Sequence, residues 1–141
     1  MATRSRIGIQ LKDESILSVY HHWDGYPEWL GRILKTHYNS REKAAELIDG
    51  GDMSVCWTDD RFRNSDGKIE KKAEYGPQYY SERGEDCPPR LDDLFEYLDK
   101  KNNEEYAYVW TVNDKWVCMD MNQFNDNNPE KVEIPSGELA V

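Results

Sequence analysis

RIGIQL (Arg6–Leu11), then DES (Asp13–Ser15), then ILSVYHHW (Ile16–Trp23) is the stretch that decides the fold. Ile7, Ile9 and Leu11 alternate along the first segment; Leu17, Val19 and Trp23 alternate along the second. Alternation with period 2 gives each segment one apolar face, and the polar residues between them suit a tight turn. The stretch therefore predicts a β-hairpin, and its apolar face needs a second layer to cover it.

That layer follows at once. Asp24-Gly25 ends the second strand, and Pro27 stands where a helix best tolerates proline, in its first turn. Leu30, Ile33, Leu34 and His37 recur at helical spacing. Gly31 inside that helix costs about 1 kcal/mol relative to alanine, which points to close packing there. Asn39-Ser40-Arg41-Glu42 resembles a cap opening a second helix, which buries Ala44, Leu47 and Ile48 and stops at Gly50-Gly51. Met53 to Trp57 reads as a short strand. After Pro88-Pro89, Leu91, Leu94, Phe95 and Leu98 form one helical stripe. Tyr106–Val112 and Lys115–Met119 then make a second hairpin across Asn113-Asp114.

The expected fold is α+β: an antiparallel sheet built from two hairpins, with about three helices packed mainly on one face. Its core should contain Trp23, Leu30, Leu34, Leu47, Leu94, Phe95, Leu98 and Trp110. The 141 residues suit a single domain, 1–141. Residues 58–90 read as an irregular excursion with a turn at Asn64-Ser65-Asp66-Gly67, and the polar tail from about 122 reads as irregular.

Composition narrows the function. Hydrophobic residues make up only 38%, but five Trp and nine Tyr supply enough apolar area to build a core. No apolar run approaches a membrane span, and Met1 to Arg6 lack the apolar stretch of a secretion signal. Cys56, Cys87 and Cys118 are an odd, widely spaced set; they read as reduced thiols of a cytoplasmic protein, not as a disulfide framework or zinc site. The net charge is −10, and residues 91–141 carry twelve acidic against four basic side chains. No basic nucleic-acid-binding face is visible, so a protein partner with a basic surface is the better electrostatic match.

Three groups of residues are candidate sites. In YHHWDGYP (Tyr20–Pro27), His22 and Asp24 share one strand face, the arrangement a metal-dependent hydrolase would need, with His37 or Glu28 as further ligands. The plainer reading is that Asp24 caps the helix while the histidines pack. Tyr75, Tyr79, Tyr80, Arg83 and Glu85 form the second group. Tyrosine faces stack on a base and arginine forks onto a phosphate, so His21, His22, Asp24, Tyr79, Tyr80 and Arg83 together would suit a small ligand such as a nucleotide. Alternatively, the tyrosines pin the loop to its own domain. The third group is the carboxylate row Asp92, Asp93, Glu96, Asp99, Glu104 and Glu105. A solvated face is the default for such a row, but apart from Lys100 opposite Glu96 it has no basic neighbour at helical spacing, which points to a partner. There is no G-x-S-x-G, H-E-x-x-H, P-loop or dinucleotide fingerprint, and neither a cofactor nor a metal is expected.

TRSRIG (Thr3–Gly8), YHHWDGYP (Tyr20–Pro27), GRIL (Gly31–Leu34) and ELIDGGDMS (Glu46–Ser54) also carry a family likeness. The chain resembles a group of small proteins encoded by tailed bacteriophages, including phages of cyanobacteria. The likeness is densest over the first 57 residues, and Glu14 stands where that group tends to have glycine. The resemblance implies a protein made inside an infected bacterium, and it carries over no catalytic residue. Small acidic phage proteins act by binding host machinery, sometimes by imitating the charge of nucleic acid. The leading expectation is thus a phage accessory protein of the counter-defence type. It would bind and inhibit a host nucleic-acid-handling factor through its acidic surface.

Overall fold

A computed structural model describes residues 3–56, 61–63, 69–71, 77–99, 102–125 and 128–137. Along the chain the elements are β1 (Ser5–Gln10), β2 (Ile16–His21), a π-helical turn (Pro27–Gly31) running into α1 (Arg32–His37), α2 (Arg41–Asp49) and β3 (Met53–Cys56). A small ribbon of β4 (Arg61–Arg63) and β5 (Ile69–Lys71) follows, then β6 (Pro77–Tyr79), a 3-10 turn (Tyr80–Arg83), β7 (Arg90–Asp92) and α3 (Leu94–Tyr97). β8 (Tyr106–Trp110), β9 (Trp116–Asn125) and β10 (Asn128–Val132) complete the order.

The fold is α+β, with a mostly antiparallel eight-stranded sheet in the order β10-β9-β8-β1-β2-β3-β6 and β7 set against β2. Both expected hairpins are present, β1–β2 and β8–β9. They join through a parallel pairing of β1 with β8, which sets Ile7 beside Tyr108 and Ile9 beside Trp110. The first turn places Glu14 at φ 71°, the left-handed region that favours glycine.

The side chains of Ile7, Ile9, Val19, Tyr108 and Trp110 meet Leu30, Ile33, Leu34, Ala44, Leu47 and Ile48 from the π-helical turn, α1 and α2. Ser40 caps α2 by accepting the Lys43 N–H. Gly31 packs closely, as its place in the helix implies: a Cβ there would stand 2.9 Å from Ile134 Cγ2. The other sheet face carries a smaller cluster, Ile16, Ala107, Val109 and Met121 under Tyr97 of α3.

Leu30, Leu34, Leu47 and Trp110 are buried as expected, but Trp23, Leu94 and Phe95 are 45%, 40% and 85% exposed. Leu98 is half-buried. Two local hydrogen-bonding choices overrule the apolar spacing. β2 ends at His21, and Trp23 sends its N–H to the Ser54 carbonyl, out of the core. Leu91 lies on a strand opposite Leu17, and the helix starts only after Asp93, whose capping box with Glu96 sets its first turn. The resulting short helix turns Tyr97 inward instead. The tail is not irregular throughout: β9 continues to Asn125, and Asn128–Val132 form β10, which pairs back along it. Backbone pairing needs no apolar side chains, so composition hides it. Likewise the end of the 58–90 excursion belongs to the main sheet: β6 pairs with β3, and Arg90 of β7 pairs with β2. The turn at Asn64–Gly67 lies outside the described residues.

Gly8 sits under Tyr97, and a Cβ there would stand 2.6 Å from Ile16 Cγ2 and 3.0 Å from the Tyr97 hydroxyl. That hydroxyl donates to the Tyr108 carbonyl at 2.8 Å, so the ring has little freedom to withdraw. Gly8→Ala should therefore cost about 1–3 kcal/mol through overpacking, read as a lower urea midpoint with unchanged slope. A stability equal to that of the parent would mean that α3 rests only loosely on the sheet.

Candidate functional site

The two histidines of YHHWDGYP stand at the end of β2, His21 as its last residue and His22 just beyond it, and do different things. His21 is fully buried; its Nε2 accepts the Cys56 backbone N–H at 2.8 Å, and its Nδ1 lies 3.2 Å from the Ser5 hydroxyl. The first bond requires a bare Nε2, so the proton is on Nδ1 and is donated to Ser5. Burial, with a smaller contribution from nearby His22, holds its pKa down at about 3. His21 is a neutral pin between β1, β2 and β3, closed to any ligand.

His22 is half-buried. Its Nδ1 is 2.7 Å from the Tyr20 hydroxyl, and its ring meets Trp23 edge-on at 4.7 Å. Asp24 adopts φ 58° in the turn, and the helix N-cap is Tyr26 with no side-chain cap. Asp24 is therefore not the capping residue. Among the described residues no three His, Cys, Asp or Glu side chains gather closely enough to hold a metal ion.

The loop tyrosines part where β6 ends at Tyr79 and the 3-10 turn begins at Tyr80. Tyr79 lies flat on Gly50, where a Cβ would come within 2.2 Å of its ring, and donates to the Leu47 carbonyl at 2.7 Å. It closes the C-terminal end of α2, and burial raises its pKa. Tyr80 lies on the other side, close enough to influence the Tyr20 hydroxyl, whose pKa is raised first by burial. The Arg83 side chain lies outside the described residues. The six-residue ligand set is thus not brought together around one space: His21 and Tyr79 are structural, while His22 and Tyr80 approach Tyr20. Asp52, which no motif marks, organises this corner. Its carboxylate accepts the Tyr20 N–H at 2.8 Å, its carbonyl accepts the Tyr80 N–H, and its own N–H reaches the Cys87 carbonyl.

The carboxylate row also divides. Glu104 is a nearly buried counter-ion of Arg6, with 3.8 Å between them and side-chain exposures of 13% and 8%. Arg6 in turn donates to the Ser18 hydroxyl at 2.9 Å and to the Ser18 carbonyl at 3.2 Å. Glu105 accepts the Arg4 backbone N–H and pairs with the Arg4 guanidinium at 3.9 Å. These two carboxylates therefore hold the sheet and are not free for a partner. Asp92 pairs with Arg90 at 2.7 Å, and Asp93 and Glu96 cap α3 while remaining exposed. The row is thus not the unpaired helical face that spacing suggests. Beside it stand Leu91, Leu94 and Phe95, which are 61%, 40% and 85% exposed. An apolar patch set among carboxylates is the surface the helical stripe concealed.

Cys56 touches His21 through its backbone, but its thiol is bonded to Tyr38 and burial pushes its pKa up; Cys118 is likewise pushed up to about 12 by burial. Neither forms a thiolate–imidazolium pair. No helix among the described residues is long and apolar enough to cross a membrane. Comparison with known protein families, curated proteins and solved structures gives no match.

The state of His21 makes a pH signature. Its pKa is about 3 in the fold, against an ordinary value of 6.5. The unfolded chain therefore takes up a proton as pH falls below 6.5 while the folded chain does not. The stability that neutral His21 contributes is complete above that value and drains away toward pH 3, at about 1.4 kcal/mol per pH unit. Urea unfolding of the parent and of His21→Gln between pH 7 and 4 should show the stability gap narrowing as acid is added. Parallel curves would mean that His21 is solvated.

Proposed function

We propose that the chain is a non-catalytic binding protein that docks on the basic surface of a partner protein. In the setting implied by the phage resemblance, it is a counter-defence accessory protein acting in the host cytoplasm. There it binds and inhibits a nucleic-acid-handling host factor.

The observation that carries this reading is the surface of β7 and α3. Three large apolar side chains stand exposed within five residues, Leu91, Leu94 and Phe95, and the carboxylates of Asp93, Glu96 and Asp99 are interleaved with or adjoin them. Single exposed apolar residues are ordinary, but a cluster ringed by charge is typical of an interaction site. Phe95 supplies the kind of aromatic anchor that dominates binding energy, and the carboxylates steer approach and orient the complex. Asp92, paired with Arg90 and with its side chain only 11% exposed, leaves this contact set together with Glu104 and Glu105. The hydrolase reading finds less support, because the Nδ1 of His22 is engaged by Tyr20 and Asp24 sits in a turn.

The test compares two surfaces of equal charge change. A partner captured from host lysate would be titrated with Phe95→Lys, and separately with Ala45→Lys on α2. Both positions are exposed and neither caps a helix, so stability should shift by less than about 0.5 kcal/mol each. The α3 variant should lose at least tenfold in affinity, and the binding of the parent should weaken with salt as screening shortens to about 8 Å. Equal losses in both variants would mean that net charge alone governs binding and would defeat the assignment of this patch.

A further inference from the structure

A cleft opens where β10 leaves β9. Pairing of the two strands ends at Val132 opposite Cys118, and the chain beyond turns onto α1. Three side chains of α1 strap it there: Lys35 donates to the Ile134 carbonyl at 3.3 Å, Arg32 to that of Ser136 at 2.6 Å, and Thr36 to that of Gly137 at 3.2 Å. Between the strap and the start of β9 lies a space of about 320 Å³. That volume is near the lower end of small-ligand sites, which run from roughly 300 to 1,000 Å³.

The lining is unusual for so acidic a chain. Lys35, Lys115 and Lys131 all border the cleft, against one carboxylate, Glu133. Residues 91–141 contain four basic side chains in all, and two of them are here. Among the described residues none of the three lysines has a carboxylate within ion-pair distance, although the chain carries a formal charge of −10. Ammonium groups collected round one opening repel each other and are relieved by an anion.

Trp116, Val132 and Ile134 supply an apolar lining. The Trp116 ring is fixed, since its N–H donates to the Tyr38 carbonyl at 3.0 Å and it packs in a T-shaped pair with Trp110 at a 5.6 Å centroid distance. Asn39 adds an amide at the rim.

We propose that this cleft binds a small organic anion of nucleotide size. The anionic end would lie among Lys35, Lys115 and Lys131, and the flat apolar body against Trp116 and Ile134. The site is separate from the β7–α3 surface and does not depend on it. It also transfers the ligand-binding idea away from His21 and Tyr79, which are committed to the fold.

The experiment is titration of the intact protein with ADP, with adenosine and with inorganic pyrophosphate, following the Trp116 indole N–H resonance. ADP should shift that resonance in a saturable way and bind at least tenfold more tightly than either fragment. Lys115→Gln combined with Lys131→Gln should weaken ADP binding tenfold or more while leaving the unfolding midpoint unchanged, since both side chains are exposed. Lack of a saturable shift at millimolar ADP would overturn the site, as would binding indifferent to the lysine changes. Pyrophosphate binding as tightly as ADP would overturn the role of the apolar lining and leave a general anion sink.

Discussion

The buried ion pair of Arg6 and Glu104 sets the constraint that the remaining structure obeys. β1 and β8 are parallel neighbours that lie far apart in sequence, so no tight turn can fix their register. Side chains must do it. Arg6 reaches Ser18 on β2 and Glu104 just before β8, and so ties three strands at one point. Arg4 and Glu105 repeat the link at the sheet margin. A pairing shifted by one residue would turn Arg6 onto the face built from Ile7 and Val19 and leave an unmatched charge there, at a cost of several kcal/mol.

Once β1 lies between β2 and β8, much else follows. Its two faces define the two clusters, one under α1 and α2 and one under Tyr97. His21 then stands where β1, β2 and β3 meet, and can be satisfied only as a neutral ring between Ser5 and Cys56. The same arrangement sorts the acidic residues by role. Those adjoining β8, and Asp92 on β7, neutralise arginines; Asp93 and Glu96 at the start of α3 stay at the surface beside exposed apolar groups. Charge count alone does not distinguish the two kinds.

The hairpins and the first two helices were legible because alternation, a serine cap and a glycine stop all agree there. Glu14 and Asp114, both at positive φ, fill their turns without the usual glycine, yet the flanking apolar pattern was strong enough to locate both hairpins. The stripe Leu91–Leu98 misled because spacing cannot reveal that Asp93 starts the helix late and that Leu91 is already spent in a strand. β10 was invisible since its residues, NPEKV, join the sheet through their backbone and carry little apolar signal. Of the candidate site, the composition of the acidic segment was legible, but its division was not. Arg6 and Glu104 lie far apart in sequence, and only the parallel pairing brings them together. The lysine cleft escaped for the same reason: Lys35, Lys115 and Lys131 come from three separate elements.

The most direct measurement is a double-mutant cycle on Arg6 and Glu104. Urea unfolding of Arg6→Met, Glu104→Leu and the double variant separates their mutual energy from all other losses, including the bonds of Arg6 to Ser18. Each single change should cost about 3–5 kcal/mol by leaving a charge buried without its partner. The double variant should recover a large part of this, giving a coupling on the order of 2 kcal/mol. Additivity to within about 0.3 kcal/mol would contradict the account. The pair would then not set the register, and Glu104 would be a surface acid available to a partner after all.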